Sequence, residues 1–501
     1  MDSSVDFGFP VWIRLTHLFN ILFITLLIRS GIEILAAHPK LYLKDDCTPG
    51  TEWIRFTPRQ MVDDKFWTGK DEQEAYSSWV SLPGGKHLGL GRQWHFLGVL
   101  GWTLTGVTYV VLLFVTPEWR RLVPTSWDIF PQAWQSIVMY LRLELPPAGN
   151  PYNAAQQLAY FSIIFLLSPL QIATGLAMAP SVAARFPWYP SLFGGRQAAR
   201  SLHFIGLVAF VSFIVHHVTL VVAHGLGEEL AAVVLGVERA ASPTQQSLAI
   251  GIMAAWLVLV VLVNVWATRT AHGSPRSVQH ALQRVLDPLQ RVLLHHLASR
   301  QRYSPQVVTA SPRVNGYPPQ DETYQALARD DFGGWALEVR GLVDQPLRLT
   351  LADLLAMESE TQITEHICIQ GWSFLAEWTG VPLRAVLEQG RPLPAARYVV
   401  LHAMDDKSES EPDPEGPGYF YETLDLELAR HPQTLLAYAM NGERLSILHG
   451  APLRLRVETQ LGFKSVKWLR AIELVEQYGA SGAGQGGWRE DWQHYSQDAS
   501  I

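Results

Sequence analysis

Five runs of mostly apolar residues dominate the first half of the chain, and each is close to the roughly 20 residues that cross a bilayer as a helix. Arg14 and His17 interrupt the first run where a cleavable signal peptide has a continuous apolar core, so we predict permanent spans. The segment 127–143 is typical of an amphipathic surface helix rather than a sixth span. The five predicted spans cover residues 11–37, 94–116, 156–180, 201–224 and 247–268.

From about residue 311 the pattern changes to short alternating runs separated by Gly and Pro, which is typical of strands. Residues 351–356 and 383–388 predict short helices. The sequence therefore predicts a membrane α-helical bundle over residues 1–270 and a soluble, mainly β, α+β domain over residues 311–501. The predicted strands lie at residues 335–340, 397–402, 453–458 and 470–476.

A basic amphipathic linker is predicted between the two parts, over residues 271–310. Val and Leu recur at helical spacing there, and residues 269–302 hold six arginines against one acid, Asp287. Such a helix is typical of a segment that lies on an anionic membrane surface. The alternative is a helix that packs on the soluble domain.

Composition and charge agree with this division. The chain is 48% apolar and only 17% charged, against roughly 25% charged residues in ordinary soluble domains, which argues against a disordered tail or a nucleic-acid partner. Residues 1–310 carry a net charge of +5 and residues 311–501 a net charge of −12. The two cysteines, Cys47 and Cys368, lie in different parts, so neither part can hold a disulfide framework.

Four histidines fall within the apolar runs at matching membrane depths. His17 lies near the start of the first span, and His95 starts the second span at the opposite side. His203 and His217 lie 14 residues apart on the fourth span, so they are separated by about 21 Å and lie within about 40° of one helix face. The spacing predicts two pairs, His17 with His217 and His95 with His203, each able to bind one haem. The neighbouring His216 points about 140° away and is given no ligand role.

Three of these histidines follow an arginine by one helical turn: Arg14, Arg92 and Arg200. An arginine at this position can pair with a haem propionate near the headgroups. The alternative is that the arginines only reach toward the interface and that the histidines fill polar gaps between helices. A single histidine favours that alternative, but four at matched depths favour haem. His224 is typical of an interfacial residue.

The segments RLTHLFN, RQWHFLG, NAAQQLAY and RSLHFIGL carry a family resemblance. Over residues 8–225 the chain resembles the dihaem b-type cytochromes of bacterial hydrogenases and formate dehydrogenases, the b561-like superfamily. The resemblance implies that His17, His95, His203 and His217 bind two haems b, which exchange electrons between a quinone pool and a partner enzyme. This chain differs from those cytochromes in two features: it has a long loop after the first span, and it has a fifth span.

In the second part, Cys368 lies in an alternating apolar run, where a cysteine is most often a buried small side chain. However, the segments EHICIQGWSFLAEWTGVPL, HPQTLLAYAMNGERL and LHGAPLRLRVETQLGFKSVKWLRAIEL resemble the molybdopterin domain of the sulfite oxidase family, and within it the bacterial methionine sulfoxide reductases. The resemblance implies that the Cys368 thiolate binds molybdenum and acts in catalysis. The residues that it implies for binding the pterin and its phosphate are Asn315, Tyr324, His449, Arg454, Ser465, Val466 and Lys467.

Departures from that family affect the expected substrate. Animal and plant sulfite oxidases have arginines just after the cysteine, whereas this chain continues Ile-Gln-Gly-Trp. Gln370 stands where the methionine sulfoxide reductases have an acid, and an expected threonine near Ala403 is missing. His366, Gln370, Asp405 and Tyr421 are candidates for the substrate pocket, although each of these residue types is more often structural.

The combined prediction is a molybdenum-dependent oxidoreductase in a bacterial inner membrane. Two haems b would connect a quinone pool to a molybdopterin centre that transfers an oxygen atom to or from a small substrate such as sulfite or a sulfoxide. One alternative is a quinol-fed methionine sulfoxide reductase, and another is an electron-transfer cytochrome with a non-catalytic docking domain. A homo-oligomer is also considered.

The basic residues predict the side on which the soluble domain lies. Arginines and lysines are more numerous on the side of the second part, so the positive-inside rule favours the cytoplasm, and no twin-arginine signal precedes the first or fifth span. Against this, the related cytochromes usually begin in the cytoplasm, and related molybdenum enzymes are often periplasmic.

Overall fold

Five helices are long and apolar enough to cross a membrane, as the sequence predicts. In the computed structural model, which describes residues 8–60, 68–147, 152–237, 240–295 and 301–500, several begin or end a few residues away from the predicted limits. The predicted surface segment contains a separate helix, Ile129–Leu141. The five helices are the first span Val11–Ala37, the second Leu88–Val115, the third Ala154–Ala177, the fourth Arg196–Leu235 and the fifth Pro243–Gly273.

The chain forms two compact units that do not follow its order. Unit 1 contains residues 1–30, 94–175 and 202–272, which are most of the five spans. Unit 2 contains residues 31–93, 176–201 and 273–501. The predicted domain limits at 270 and 311 are therefore not the limits of the compact units, because two stretches of the first 270 residues belong to unit 2.

Small and polar residues hold the spans of unit 1 together. A Cβ at Gly101 would lie 2.3 Å from the Phe23 ring, so only glycine allows this approach of the second span to the first. Arg29 of the first span donates to the Asn264 side chain of the fifth at 2.9 Å. In membrane helices, where lipid is as apolar as leucine, such close packing and hydrogen bonds supply the association energy.

Unit 2 is built on two five-stranded sheets, which agrees with the predicted mainly β, α+β domain. We number the strands in chain order. β1 (Lys40–Leu41) and β2 (Ile54–Arg55) form a small hairpin in the loop after the first span. The remaining strands are β3 (Ala336–Gly341), β4 (Leu347–Thr350), β5 (Glu360–Ile367), β6 (Ser373–Pro382), β7 (Tyr398–Asp406), β8 (Tyr419–Asp425), β9 (Leu435–Met440), β10 (Glu443–Arg444), β11 (Arg454–Arg456) and β12 (Leu469–Val475).

One sheet has the order β10-β9-β6-β5, with β11 also paired to β9, and the other has the order β4-β3-β12-β7-β8. Among the strands of the described residues, only β3 and β12 pair in parallel. The predicted helices are present as Leu351–Ala356 and Leu383–Gly390, the first with a capping box formed by Thr350 and Asp353. The first sheet positions β5, β6 and β11, from which the site described below is built.

The predicted basic linker contains the helix Pro275–Gln290, while its residues 296–300 lie outside the described part of the chain. Leu282 and Leu286 are buried on one face of this helix. On the same face, Gln279 donates to the Tyr495 carbonyl at 2.7 Å. The structure thus favours the alternative interpretation, in which the helix packs on the soluble domain, over a helix held by lipid alone.

Candidate functional site

Cys368 lies in the tight turn that joins β5 to β6. Its amide donates to the Trp372 carbonyl at 2.9 Å, and the Gly371 amide donates back to the Cys368 carbonyl at 3.0 Å. Gly371 has φ +113°, and a Cβ there would lie 3.1 Å from Arg200 Nε, so the turn requires glycine at this position. The turn directs the Cys368 side chain into a cavity.

Six of the predicted residues meet at this cavity. Asn315 donates to the Cys368 sulphur at 3.5 Å, so the entry segment and the cysteine turn are in direct contact. β11 supplies Arg454, and the turn between β11 and β12 supplies Ser465 and Lys467. The predicted residues that line the cavity are Asn315, Cys368, His449, Arg454, Ser465 and Lys467.

Two buried cations of the cavity have no carboxylate within 4.0 Å among the described residues. Arg454 is 4% exposed and donates to the His449 carbonyl at 2.9 Å. Lys467 donates to the carbonyls of Asn315 at 2.6 Å and Leu448 at 2.9 Å. Burial, and then the nearby Arg454, holds the pKa of Lys467 well below its ordinary value. A buried charge without a counterion is costly, so this arrangement calls for a bound anion.

The donor set fits a molybdopterin cofactor. Burial raises the pKa of the Cys368 thiol to about 11, so the free thiol is protonated at neutral pH and a metal would bind it as the thiolate. A soft thiolate suits molybdenum, and an arginine with a lysine suits the pterin phosphate. Arg454 Nε and His449 Nε2 are buried without a hydrogen-bond partner in the described chain, which leaves donors available for such a group.

Two predicted cofactor contacts lie elsewhere. Tyr324 is fully buried, and its hydroxyl donates to the Ala451 carbonyl at 2.8 Å. The Val466 side chain is buried in the hydrophobic core, and its carbonyl accepts from the Leu455 amide at 2.8 Å. Neither side chain lines the cavity, because both fill the core behind it. Their predicted cofactor contacts stay predictions.

Of the four candidate substrate residues, two line the cavity and two do not. His366 lines the cavity and accepts from Arg456 at 2.5 Å, and burial with that arginine keeps its pKa well below the ordinary value. Asp405 also lines the cavity but pairs with Lys407 at 2.6 Å. Gln370 accepts from the Trp372 indole at 3.1 Å and lies beside the cysteine turn. Tyr421 donates to the Ser481 carbonyl at 3.0 Å and does not line the cavity.

Three cations of the cavity were not predicted from the sequence: Arg313, Lys407 and Arg489. None belongs to a recognisable motif, and Arg489 lies in the C-terminal helix Trp488–Trp492. Lys464, which alone would be taken for a surface charge, is buried between Glu422 (2.8 Å) and Glu490. Arg313 pairs with Glu72, and Lys464 pairs with Glu422 and Glu490, all of them distant contacts that sequence spacing does not encode.

The long loop after the first span explains part of this pairing. Buried Glu72 of the loop contacts Lys40 at 2.9 Å, His38 at 3.0 Å and the cavity residue Arg313 at 3.2 Å. A Cβ at Gly69 would lie 2.5 Å from Gln370 Oε1, so the loop also packs tightly against the cysteine turn. The insertion that the sequence marks as a departure from the cytochromes is therefore a part of unit 2.

The first turn of the fourth span contacts the same cysteine turn. Arg196 and Gln197 both donate to the Gly371 carbonyl, at 2.8 and 2.9 Å. Arg200 donates to the carbonyls of Lys40 and His38, at 2.7 Å each.

The three arginines that precede a histidine therefore differ in their surroundings. Arg200 is already committed to backbone carbonyls, Arg14 donates to the Val234 carbonyl at 3.0 Å, and Arg92 is partly buried in unit 2. The propionate contacts of all three stay predictions.

The four predicted haem ligands meet in the predicted pairs within unit 1. The ring centres of His17 and His217 lie 6.4 Å apart, and those of His95 and His203 also lie 6.4 Å apart. Two imidazoles that bind one metal at about 2.0 Å bring their ring centres to roughly this separation. Both pairs therefore fit a metal between their rings.

Hydroxyl groups orient three of these rings. The Nδ1 atom of His95 contacts Ser30 Oγ at 3.1 Å, that of His203 contacts Thr174 Oγ1 at 3.0 Å, and that of His217 contacts the Tyr160 hydroxyl at 3.3 Å. Such partners leave Nε2 available to the metal. His17 Nδ1 is buried without a partner in the described chain.

The other two histidines of the fourth span bond to their own helix. His216 contacts the Ser212 carbonyl at 2.7 Å and His224 contacts the Leu220 carbonyl at 2.8 Å. That neither histidine binds a haem stays a prediction.

Known families match both parts of the chain. Residues 8–236 match the sequence model of prokaryotic cytochrome b561, and residues 324–482 match that of the oxidoreductase molybdopterin binding domain. The fold and these matches define a multi-pass membrane protein with an oxidoreductase domain. More particularly, the chain is a fusion of a cytochrome b561 multi-pass membrane domain with a molybdopterin-binding oxidoreductase domain. The match to an oxidoreductase domain favours an enzyme over the docking-module alternative.

The chain is 32% identical over 189 residues to the "Putative protein-methionine-sulfoxide reductase subunit YedZ1" of Azospira oryzae, which covers 38% of this chain and 63% of that protein. It is 37% identical over 152 residues to the "Protein-methionine-sulfoxide reductase catalytic subunit MsrP" of Xanthomonas campestris, covering 28% and 45% of the two chains. The solved sulfane dehydrogenase SoxCD from Paracoccus pantotrophus aligns with a TM-score of 0.26 and 22% identity, over 31% of this chain and 45% of that one. The chain thus spans less than two thirds of each relative's length.

Proposed function

We propose that this protein reduces a sulfoxide with electrons that two haems b carry from membrane quinol to a molybdopterin centre. The observation that carries the proposal is the cavity at Cys368, where a buried thiol lies beside Arg454 and Lys467, which have no carboxylate within 4.0 Å among the described residues. The relatives named for methionine sulfoxide reduction support the choice of substrate. The overall reaction consumes two electrons and two protons, and it converts a sulfoxide to a sulfide and water.

The roles of the chain's own residues follow from the contacts described above. Cys368 would hold the metal, and Arg454 with Lys467 would hold the pterin phosphate, which compensates their buried charge. When bound, the molybdenum centre supplies two-electron oxygen-atom transfer, whereas haems carry one electron at a time. His17 with His217 and His95 with His203 would hold the two haems, and hydroxyl groups would orient the rings of His95, His203 and His217.

The fourth span contains residues of both units. Its first turn lies in unit 2 and donates twice to the Gly371 carbonyl of the cysteine turn. The same helix continues into unit 1, where it carries His203 and His217. One continuous helix therefore carries a ligand of each proposed haem and contacts the proposed metal-binding turn.

Anaerobic spectroscopy of the purified full chain tests the proposal. The haems are first reduced with a quinol analogue, and methionine sulfoxide is then added. We expect the haems to be reoxidised in wild type and in Cys47→Ser, which changes a buried cysteine outside the cavity, but not in Cys368→Ser. Unchanged reoxidation in Cys368→Ser would refute the metal assignment. If sulfite reduced the oxidised haems and sulfoxides did not react, the proposed sulfoxide reduction would be wrong and the protein would be a sulfite oxidase.

The compartment of unit 2 needs a separate test. Several basic residues that favour the cytoplasm by their number are buried in unit 2, among them Lys40, which pairs with Glu72. The positive-inside rule concerns short exposed loops, so these residues carry less weight than their count implies. A reporter fused to Ile501 decides the question, because alkaline phosphatase activity there would contradict the cytoplasmic prediction.

A further inference from the structure

Arg489 differs from the other cations of the Cys368 cavity. Arg313 pairs with Glu72, and Lys407 pairs with Asp405 and Glu411. Arg454 and Lys467 donate to backbone carbonyls at the end of the cavity that we assign to the pterin phosphate. Four of the five cations found in the described lining are thus accounted for.

In the described part of the chain, the Arg489 side chain forms no ion pair with an acid. Among the residues that the structure describes, no carboxylate lies within 4.0 Å of its guanidinium, whose one side-chain contact is with Gln493. Its Nε atom is buried and has no hydrogen-bond partner in the same set of residues. An unpaired guanidinium that lines a catalytic cavity has donors available for a ligand.

The residues around Arg489 fix its position. Trp488, Glu490 and Asp491 are each at most 2% exposed. The Trp488 indole donates to the Pro417 carbonyl at 3.1 Å, Glu490 pairs with buried Lys464, and Asp491 accepts from the Gln485 amide at 2.9 Å. A short helix would not be rigid alone, but these contacts hold it and therefore hold the Arg489 backbone beside the cavity.

The position of Arg489 in the chain separates it from the matched family domain. That match ends at residue 482, whereas Arg489 follows it in a segment that packs back onto the cavity. The run after the cysteine, Ile369 to Trp372, contains no cation that could bind a negatively charged substrate. Arg489 supplies a cation to the same cavity from a distant part of the sequence.

We propose that Arg489 is a substrate-positioning residue that binds a carboxylate of the sulfoxide substrate. This inference rests on the proposed sulfoxide reduction and narrows it to sulfoxides that carry a negative charge. A guanidinium binds a carboxylate through two parallel hydrogen bonds, which fixes orientation as well as adding affinity. Neutral sulfoxides of the same shape lack this contact.

The test compares N-acetylmethionine sulfoxide, which carries a carboxylate, with its neutral carboxamide. In Arg489→Gln we expect KM for the carboxylate to rise about 10- to 100-fold, the effect of losing a charged hydrogen-bonded pair, with kcat within about twofold. KM for the carboxamide should stay within about twofold, and Arg489→Lys should recover part of the loss. The matched control is Arg444→Gln, which removes an exposed arginine that pairs with Asp331.

Haem spectra and molybdenum content are measured for every variant. Equal KM changes for both substrates, or no change for either, would overturn the inference while leaving sulfoxide reduction intact. Loss of molybdenum from Arg489→Gln would assign the residue to the cofactor and would also overturn it. Wild-type protein that reduces neither sulfoxide would overturn the proposed function and this inference together.

Discussion

At the scale of single residues, His216 and His217 show how position on a helix decides function. They are adjacent in sequence, yet the His217 ring faces His17 while His216 is exposed and contacts only its own helix. Helical geometry separates the two by about 100°, and this is why the sequence alone could select His217.

This difference predicts the outcome of a matched pair of substitutions. His217→Ala should lower the haem content from two per chain to one, because His17 is left without its partner. His216→Ala should retain both haems. The pyridine haemochrome assay on purified protein measures the ratio, and retention of two haems in His217→Ala would contradict the assigned pair.

Two lysines three positions apart have different expected effects. Lys464 pairs with Glu422 and Glu490, so Lys464→Met leaves buried carboxylates unpaired and should destabilise unit 2 by about 3–5 kcal/mol. Lys467 has no acid partner among the described residues, so Lys467→Met breaks no ion pair and should change the stability of the cofactor-free protein by less than about 2 kcal/mol, through the lost hydrogen bonds to the Asn315 and Leu448 carbonyls. Lys467→Met should also lose molybdenum, because the phosphate loses a cation. Thermal unfolding and metal analysis measure these effects, and molybdenum retained in full would exclude Lys467 from the cofactor site.

At the scale of secondary-structure elements, the sequence predicts the helices and strands that follow from a local periodic pattern. Apolar runs predict the five spans, and alternation predicts strands such as β3 and β12, because both depend on periodicity. The loop 38–87 has no such period, and its place in unit 2 depends on Glu72 and Lys70, which pair with residues more than 200 positions away. Arg489 was missed because it belongs to no recognisable motif and reaches the cavity only through the tertiary fold.

The loop contact at Glu411 predicts how stability depends on pH. Burial alone would raise the pKa of Glu411, but Lys407 and then Lys70 lower it from 4.5 to about 2. Since the folded pKa is lower than the unfolded one, Glu411 contributes stability above about pH 4.5 that is lost as the pH falls toward 2, up to about 3 kcal/mol in total.

Glu411→Gln should therefore be less stable than wild type at pH 6 and should lose less stability between pH 5 and pH 3. Thermal unfolding monitored by tryptophan fluorescence measures both. Glu409→Gln is the matched control, because Glu409 is an exposed acid on the same short helix. An identical pH profile for wild type and Glu411→Gln would show that Glu411 does not cause the loss of stability at low pH.

At the scale of the whole molecule, the fusion would make the proposed electron transfer between the two domains intramolecular. A linked pair reacts at an effective concentration that is set by geometry rather than by the amount of protein. We therefore expect the first-order rate of haem reoxidation by sulfoxide to stay constant within about twofold over a hundredfold dilution in detergent. Stopped-flow absorbance measures this rate. A rate proportional to protein concentration would mean that electrons pass between separate chains.

Unit 2 combines segments that are far apart in the chain, so the order of synthesis limits when this unit can fold. Glu72 and Arg313 are 241 positions apart, and at about 5–20 residues per second the loop waits roughly 10–50 seconds for its partner to be synthesised. Through that interval His38, Lys40 and Glu72 lack the strands that will enclose them, while the spans on either side are already entering lipid. Assembly of the catalytic unit is therefore a late event in biogenesis, and a stalled chain would present this loop to quality-control proteases.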